Sequence, residues 1–91
     1  MVELPIRVKR HPYHGSDPKK RMNAADYNRR AAKLEQVINE VVSTQDCRVK
    51  PYTWIDFAEG SRMSVEDIRE LGSSIDGGHN GFTAIRRDLP E

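Results

Sequence analysis

Three kinds of side chain in this 91-residue chain could do chemistry by type and spacing: metal ligands, cations for phosphate, and acids gathered on one short helix. His11 and His14 form His-x-x-His, with Cys47 and His79 as the remaining donors for a zinc site. No Cys-x-x-Cys accompanies them, and His-x-x-His on a loop arises often by chance, so no metal is expected. The stretch from Gly72 to Gly81, GSSIDGGHNG, has the glycines of a phosphate loop but lacks the Gly-Lys-Ser/Thr ending. It reads instead as a helix stop and a turn. A lone Cys47 beside any histidine is a weak nucleophile pair. Asp46, Asp56, Glu59 and Asp76 show no spacing suited to acid–base work. The expectation is a protein that is not an enzyme and has no cofactor.

Phosphate chemistry has better candidates. Residues 1–33 hold nine Lys/Arg against three Asp/Glu, and residues 34–91 hold six against eleven. A net charge of +1 therefore hides a basic N-terminal third and an acidic remainder. The basic groups are Arg7, Lys9, Arg10, Lys19, Lys20 and Arg21, then Arg29, Arg30 and Lys33, with Arg86 and Arg87 near the C-terminus. Cations at this density neutralise phosphates, and a flexible basic arm can enter a minor groove. Tyr13, inside the arm, can stack on a base or fold back onto the domain. Arg29, Arg30 and Lys33 can equally be the solvated face of a core helix, and the two oppositely charged parts can attract each other within the fold.

The acids are Glu66, Asp67 and Glu70, on a helix whose nearest cations are Arg62 and Arg69. Acids repel phosphate, although they can accept from a cytosine amino group in the major groove. The first turn of a helix favours Glu66 and Asp67 through its dipole, which requires no ligand. As a surface, the three acids would suit a basic protein partner.

The elements that must position these groups follow from periodicity. Val2, Leu4, Ile6 and Val8 alternate with polar residues and Pro5, which predicts an edge strand over 2–8. Residues 9–21 carry five Lys/Arg with two Pro and one Gly, and read as an exposed basic loop or arm, mobile in the free protein. Asn23 can cap a helix over 24–43, in which Ala24, Tyr27, Ala31, Leu34, Ile38 and Val41 recur at steps of three and four. Val37 and Val42 widen that stripe, so it suits a globular core better than a coiled coil. Residues 46–52 read as a turn and a short extended stretch ended by Pro51. Thr53-Trp-Ile-Asp56 and Ser64-Val-Glu-Asp67 are two helix starts eleven residues apart, predicting helices over about 54–59 and 65–74. After Gly77 and Gly78, alternation over 82–87 predicts a last strand. Trp54, Phe57, Ile68, Leu71, Ile75, Phe82 and Ile85 should form the core with Leu34, Ile38 and Val41.

The segment from Ile55 to Leu71 resembles the helix-turn-helix, and its flanks resemble the winged form of that superfamily. Ala58 matches the small residue where the two helices cross. Phe57, Met63, Ile68 and Leu71 match the apolar positions, and the loop Gly77–Gly81 would be the wing. Two positions depart. Ser61 stands where an apolar residue is usual, and Arg62 stands where Gly is usual, a position that often needs positive φ. The resemblance implies an α+β domain of three helices with a short antiparallel sheet, its helix-turn-helix over residues 53–75 and its wing and strand at 76–87.

Ninety-one residues make a single small domain over 1–91, with a modest core that a partner or a second copy would help stabilise. With 36% hydrophobic residues the chain can still fold. No apolar run suits a membrane span or a signal peptide, and Cys47 has no second cysteine to pair with, so a cytoplasmic protein is expected. Two functions remain. One is a DNA-binding regulatory or accessory protein that holds nucleic acid through the arm and wing, using Arg7, Lys9, Arg10, Lys19, Lys20, Arg21, Arg62, Arg69, Arg86 and Arg87. The other is a protein-interaction module, a nucleic-acid mimic or inhibitor, that binds a basic partner through Glu66, Asp67 and Glu70. Pairing through strand 2–8 would make a homodimer.

Overall fold

The stripe on the long helix organises everything else. The computed structural model describes residues 2–10, 24–73, 75 and 80–90. Its elements are β1 (Val2–Glu3), α1 (Ala24–Ser43), β2 (Val49–Thr53), α2 (Ile55–Ser61), α3 (Val65–Leu71) and β3 (Gly81–Ile85). The fold is a small α+β domain with three helices and one three-stranded sheet. Tyr27, Ala31, Leu34 and Ile38 are buried along α1 as their spacing predicts. At its C-terminal end Val42 is fully buried and Val41 only partly, the reverse of the expected order. A heptad pattern drifts about 20° per repeat against a straight helix, and by the third repeat Val42 has moved onto the core side.

The sheet has the order β1-β3-β2, with β3 in the centre. β2 pairs antiparallel with β3, from Val49 opposite Ile85 to Thr53 opposite Gly81. β1 pairs parallel with β3, Val2 opposite Ala84. The sheet is therefore mixed, where an antiparallel one was expected. The neighbour on the far side of β3 comes from the N-terminus, before α1, and not from a hairpin. Of the expected wing, residues 76–79 lie outside the described residues, as do the Asn23 cap, Ser74 and residues 11–21 of the arm.

Three boundaries differ from expectation for local reasons. The first strand is two residues long, because Pro5 offers no N–H to a ladder and the chain then turns its backbone toward α1. Pro51 sits inside β2 and does not end it. Arg86 N–H bonds Arg48 C=O and Trp54 N–H bonds Asn80 C=O, which sets 48, 50, 52 and 54 as the paired positions. Pro51 thus faces away from β3 on an edge strand, where its missing N–H costs nothing. The last strand stops at Ile85, so Arg86 and Arg87 follow it.

The two short helices start where the acid signatures place them. Asp56 Oδ2 accepts the Thr53 N–H at 2.8 Å, and Ser64 Oγ accepts the Asp67 N–H at 3.2 Å. α2 begins at Ile55, one residue later than expected, and runs on to Ser61, whose buried hydroxyl donates to Phe57 C=O. α3 ends at Leu71, short of 74. Gly72 follows it beneath Trp54, and a Cβ there would lie 2.7 Å from the indole. The corner between the helices holds Arg62 at φ 57, ψ 34, a left-handed conformation that costs a non-glycine residue about 1–2 kcal/mol. Phe57 stacks on Phe82 at 5.6 Å, and Trp54 and Tyr52 pack around the pair, so the aromatic core ties α2 to β3. All of the expected core residues are buried except Val41.

Candidate functional site

Beyond Pro5 the N-terminal segment lies along α1. Ile6 and Val8 are buried in the core, while Arg7 and Lys9 between and after them are exposed. Two α1 side chains hold the backbone. Asn39 accepts the Ile6 N–H at 2.8 Å and donates to Ile6 C=O at 2.9 Å. Glu35 accepts the Val8 N–H at 2.9 Å. The fit is geometric: one helical turn of four residues rises about 6 Å, and two extended residues span about 6.6 Å. Side chains four residues apart on α1 therefore meet backbone groups two residues apart on the segment, in antiparallel order: Glu35 meets Val8 and Asn39 meets Ile6.

Arg10 completes the contact, donating to Val8 C=O at 2.6 Å and reaching both Glu35 oxygens at 3.4 Å. The Glu35 carboxyl is held below the ordinary glutamate range. The Val8 N–H bond is the main cause, burial opposes it, and Arg10 and Arg7 add to it. The Ile6 and Val8 amides are bonded to α1, so of the strand expected over 2–8 only Val2–Glu3 lies in the sheet, as its edge strand. Sequence reasoning missed Glu35 and Asn39. The signal was a polar pair at i, i+4 flanking the apolar stripe, facing an alternating segment that a proline removes from the sheet.

The C-terminal cations have a different setting. Arg86 donates to Ser43 C=O at 2.7 Å and Gln45 C=O at 3.1 Å, and pairs with Asp88 at 2.6 Å. It supplies at the end of α1 the positive charge that the helix's own last turn lacks. Arg87 pairs with Glu3 at 2.9 Å at the surface. Of the two cations expected at a phosphate surface, Arg86 is thus half-buried against the end of α1, and Arg87 is exposed with an acid beside it.

The acidic helix is partly turned inward. Asp67, expected at the surface, is buried and pairs with Arg30 at 2.9 Å; Arg30 also binds Asp26 at 3.1 Å, which ties α3 to α1. Glu70 is half-buried near Tyr27, whose hydroxyl is pushed up by burial and by that carboxylate. Glu66 is exposed, as are Arg62 and Arg69. An open apolar groove of about 240 Å³ runs past Trp54, Ile55, Val65 and Arg69. Ile55 on its rim is 69% exposed.

Among the described residues the outward cations lie on more than one side of α1. Glu35 and Asn39, which carry the N-terminal segment, lie on one flank of α1, and Arg30, which meets α3, lies on the other. At 3.6 residues per turn, Arg30 and Glu35 are about 140° apart around the axis. Arg7, Lys9 and Arg10 therefore lie on the flank of α1 away from its contact with α3, the helix that carries Arg69. Lys19, Lys20, Arg21 and Tyr13 lie outside the described residues. So do His11, His14 and His79; among the described residues no group of three His, Cys, Asp or Glu could hold a metal ion. No described helix is long and apolar enough to cross a membrane. Comparison with known protein families, characterised proteins and solved structures found no match.

Proposed function

We propose that the protein is a small nucleic-acid-binding module, a regulatory or accessory protein for duplex DNA. It makes its main contact on the N-terminal flank of α1. The observation that carries this reading is the outward pair Arg7 and Lys9 on a segment whose alternate residues, Ile6 and Val8, are buried. The sequence adds a surplus of positive charge over residues 1–33, Lys19, Lys20 and Arg21 included. The α2–α3 corner supports the winged helix-turn-helix-like reading: two seven-residue helices joined by residues 62–64, with a left-handed residue in the turn and contact with α1. In this reading α3 is secondary, because its exposed charges, Glu66 and Arg69, are of opposite sign. The module does no chemistry on its ligand.

A titration of labelled duplex at two salt concentrations tests the reading. Each neutralised phosphate adds about 0.9 to the log–log salt slope, so Arg7→Ala with Lys9→Ala should lower the slope by about 1.8. Replacing Lys19, Lys20 and Arg21 by Ala should weaken binding to every sequence and lower the slope as well. No binding by the wild type at low salt would sink the proposal. The exposed Ile55 beside an apolar groove favours a second reading, a protein-interaction module. It predicts no duplex binding at low salt, and loss of a basic protein partner when Glu66 and Glu70 become Gln.

A further inference from the structure

An acid beside a phosphate-binding surface ordinarily weakens it by repulsion. Glu35 is placed to have the opposite effect. Its carboxylate bonds the Val8 N–H and meets Arg10, so its charge is offset on the side of the segment. Four residues on, Asn39 bonds both the N–H and the C=O of Ile6, as a neighbouring strand would. Ile6 and Val8 are driven inward, and Arg7 and Lys9 stand outward two residues apart on an extended backbone. That separation, about 6.6 Å along the chain, is close to the distance between successive phosphates on one strand.

We propose that Glu35 and Asn39 are positioning residues for anion binding: they hold residues 6–9 along α1 so that Arg7 and Lys9 contact two successive phosphates of a nucleic-acid strand. The inference rests on the nucleic-acid reading above and adds the residues that preorganise the contact. Ordering a free segment costs conformational entropy at the moment of binding. A segment already bonded to α1 bears that cost on folding, and binding is tighter for it.

The test is the same duplex titration on the wild type and on Glu35→Ala, Glu35→Gln and Asn39→Ala. Glu35→Ala frees the segment and should bind about 3- to 10-fold more weakly, the scale of ordering a few interface side chains. Its salt slope should not change, because every cation remains. Glu35→Gln keeps an acceptor for the Val8 N–H and should bind as tightly as the wild type or more tightly. Asn39→Ala changes no charge and should behave like Glu35→Ala. Fluorescence of the buried Trp54 reports whether each variant is folded, and if Glu35→Ala loses the fold, Asn39→Ala decides by the same criterion. Tighter binding by both Glu35 variants, or unchanged binding by a folded Asn39→Ala, would overturn the positioning role and leave the nucleic-acid reading standing. A wild type that fails to bind at low salt would overturn both.

Discussion

Arg7 and Lys9 at one end of the chain and Arg86 and Arg87 at the other look alike in sequence. Each pair flanks an alternating stretch, and each could meet phosphate. In the fold they part. Arg86 reaches the end of α1, where Ser43 and Gln45 present carbonyl groups and no basic residue of the last turn is at hand. Arg87 lies across from Glu3 because β1 and β3 run side by side. Around Arg7 and Lys9 the acid that could have paired with them, Glu35, is bonded to the Val8 N–H and to Arg10. A charge count cannot show which cations are available. What decides is whether a helix terminus or a carboxylate lies closer than solvent.

The largest effect that would sharpen this contrast is on stability. Arg86→Ala removes a charged donor from two carbonyl groups, and should cost about 2 kcal/mol in a urea melt while leaving the duplex salt slope unchanged. A slope lower by about 0.9 with little loss of stability would put Arg86 on phosphate and erase the contrast.

Next comes the attachment of the N-terminal segment, which depends on pH through Glu35. A carboxylate with a folded pKa below its unfolded one contributes fully above the unfolded value, and that contribution is lost as pH falls through the folded value. Since Glu35 sits below the ordinary glutamate range, Ile6 and Val8 should stay on α1 at neutral pH and through mild acidity. Below that range the Val8 N–H bond should weaken to that of a neutral acceptor while Asn39 keeps Ile6 in place, as amide shifts of Val8 and Ile6 against pH would record. Detachment between pH 6 and 7 would mean that another group controls the segment.

The smallest effect is at Arg87. Its pair with Glu3 is solvent-exposed, so Arg87→Ala should change stability by no more than about 0.5 kcal/mol. It should leave the salt slope where it was. A clear fall in slope would place Arg87 on the binding surface.

Several parts of the fold were legible because the signal is local. The bounds of α1 follow from a stripe repeating at helical steps, and the start of α3 from Ser64 and Asp67. The strain at Arg62 was legible too, as a missing glycine in the corner. The parallel pairing of β1 with β3 was not, because residues 2–3 and 84–85 are brought together by the whole path of the chain between them. The withdrawal of Asp67 was hidden for the same reason: its partner Arg30 lies 37 residues away on another helix. The site residues Glu35 and Asn39 looked like an ordinary polar flank until the chain beyond Pro5 was placed against them.

The sequence by itself determined the helices, the core aromatics and the concentration of positive charge in the first 33 residues. Periodicity, capping and composition depend only on near neighbours along the chain. Only the tertiary structure decided the order of the strands, which acids are spent inside the fold, and which arginines face solvent. Those outcomes depend on which distant groups meet. A buried or bonded charge is held by the nearest partner in space, and that partner is set by packing.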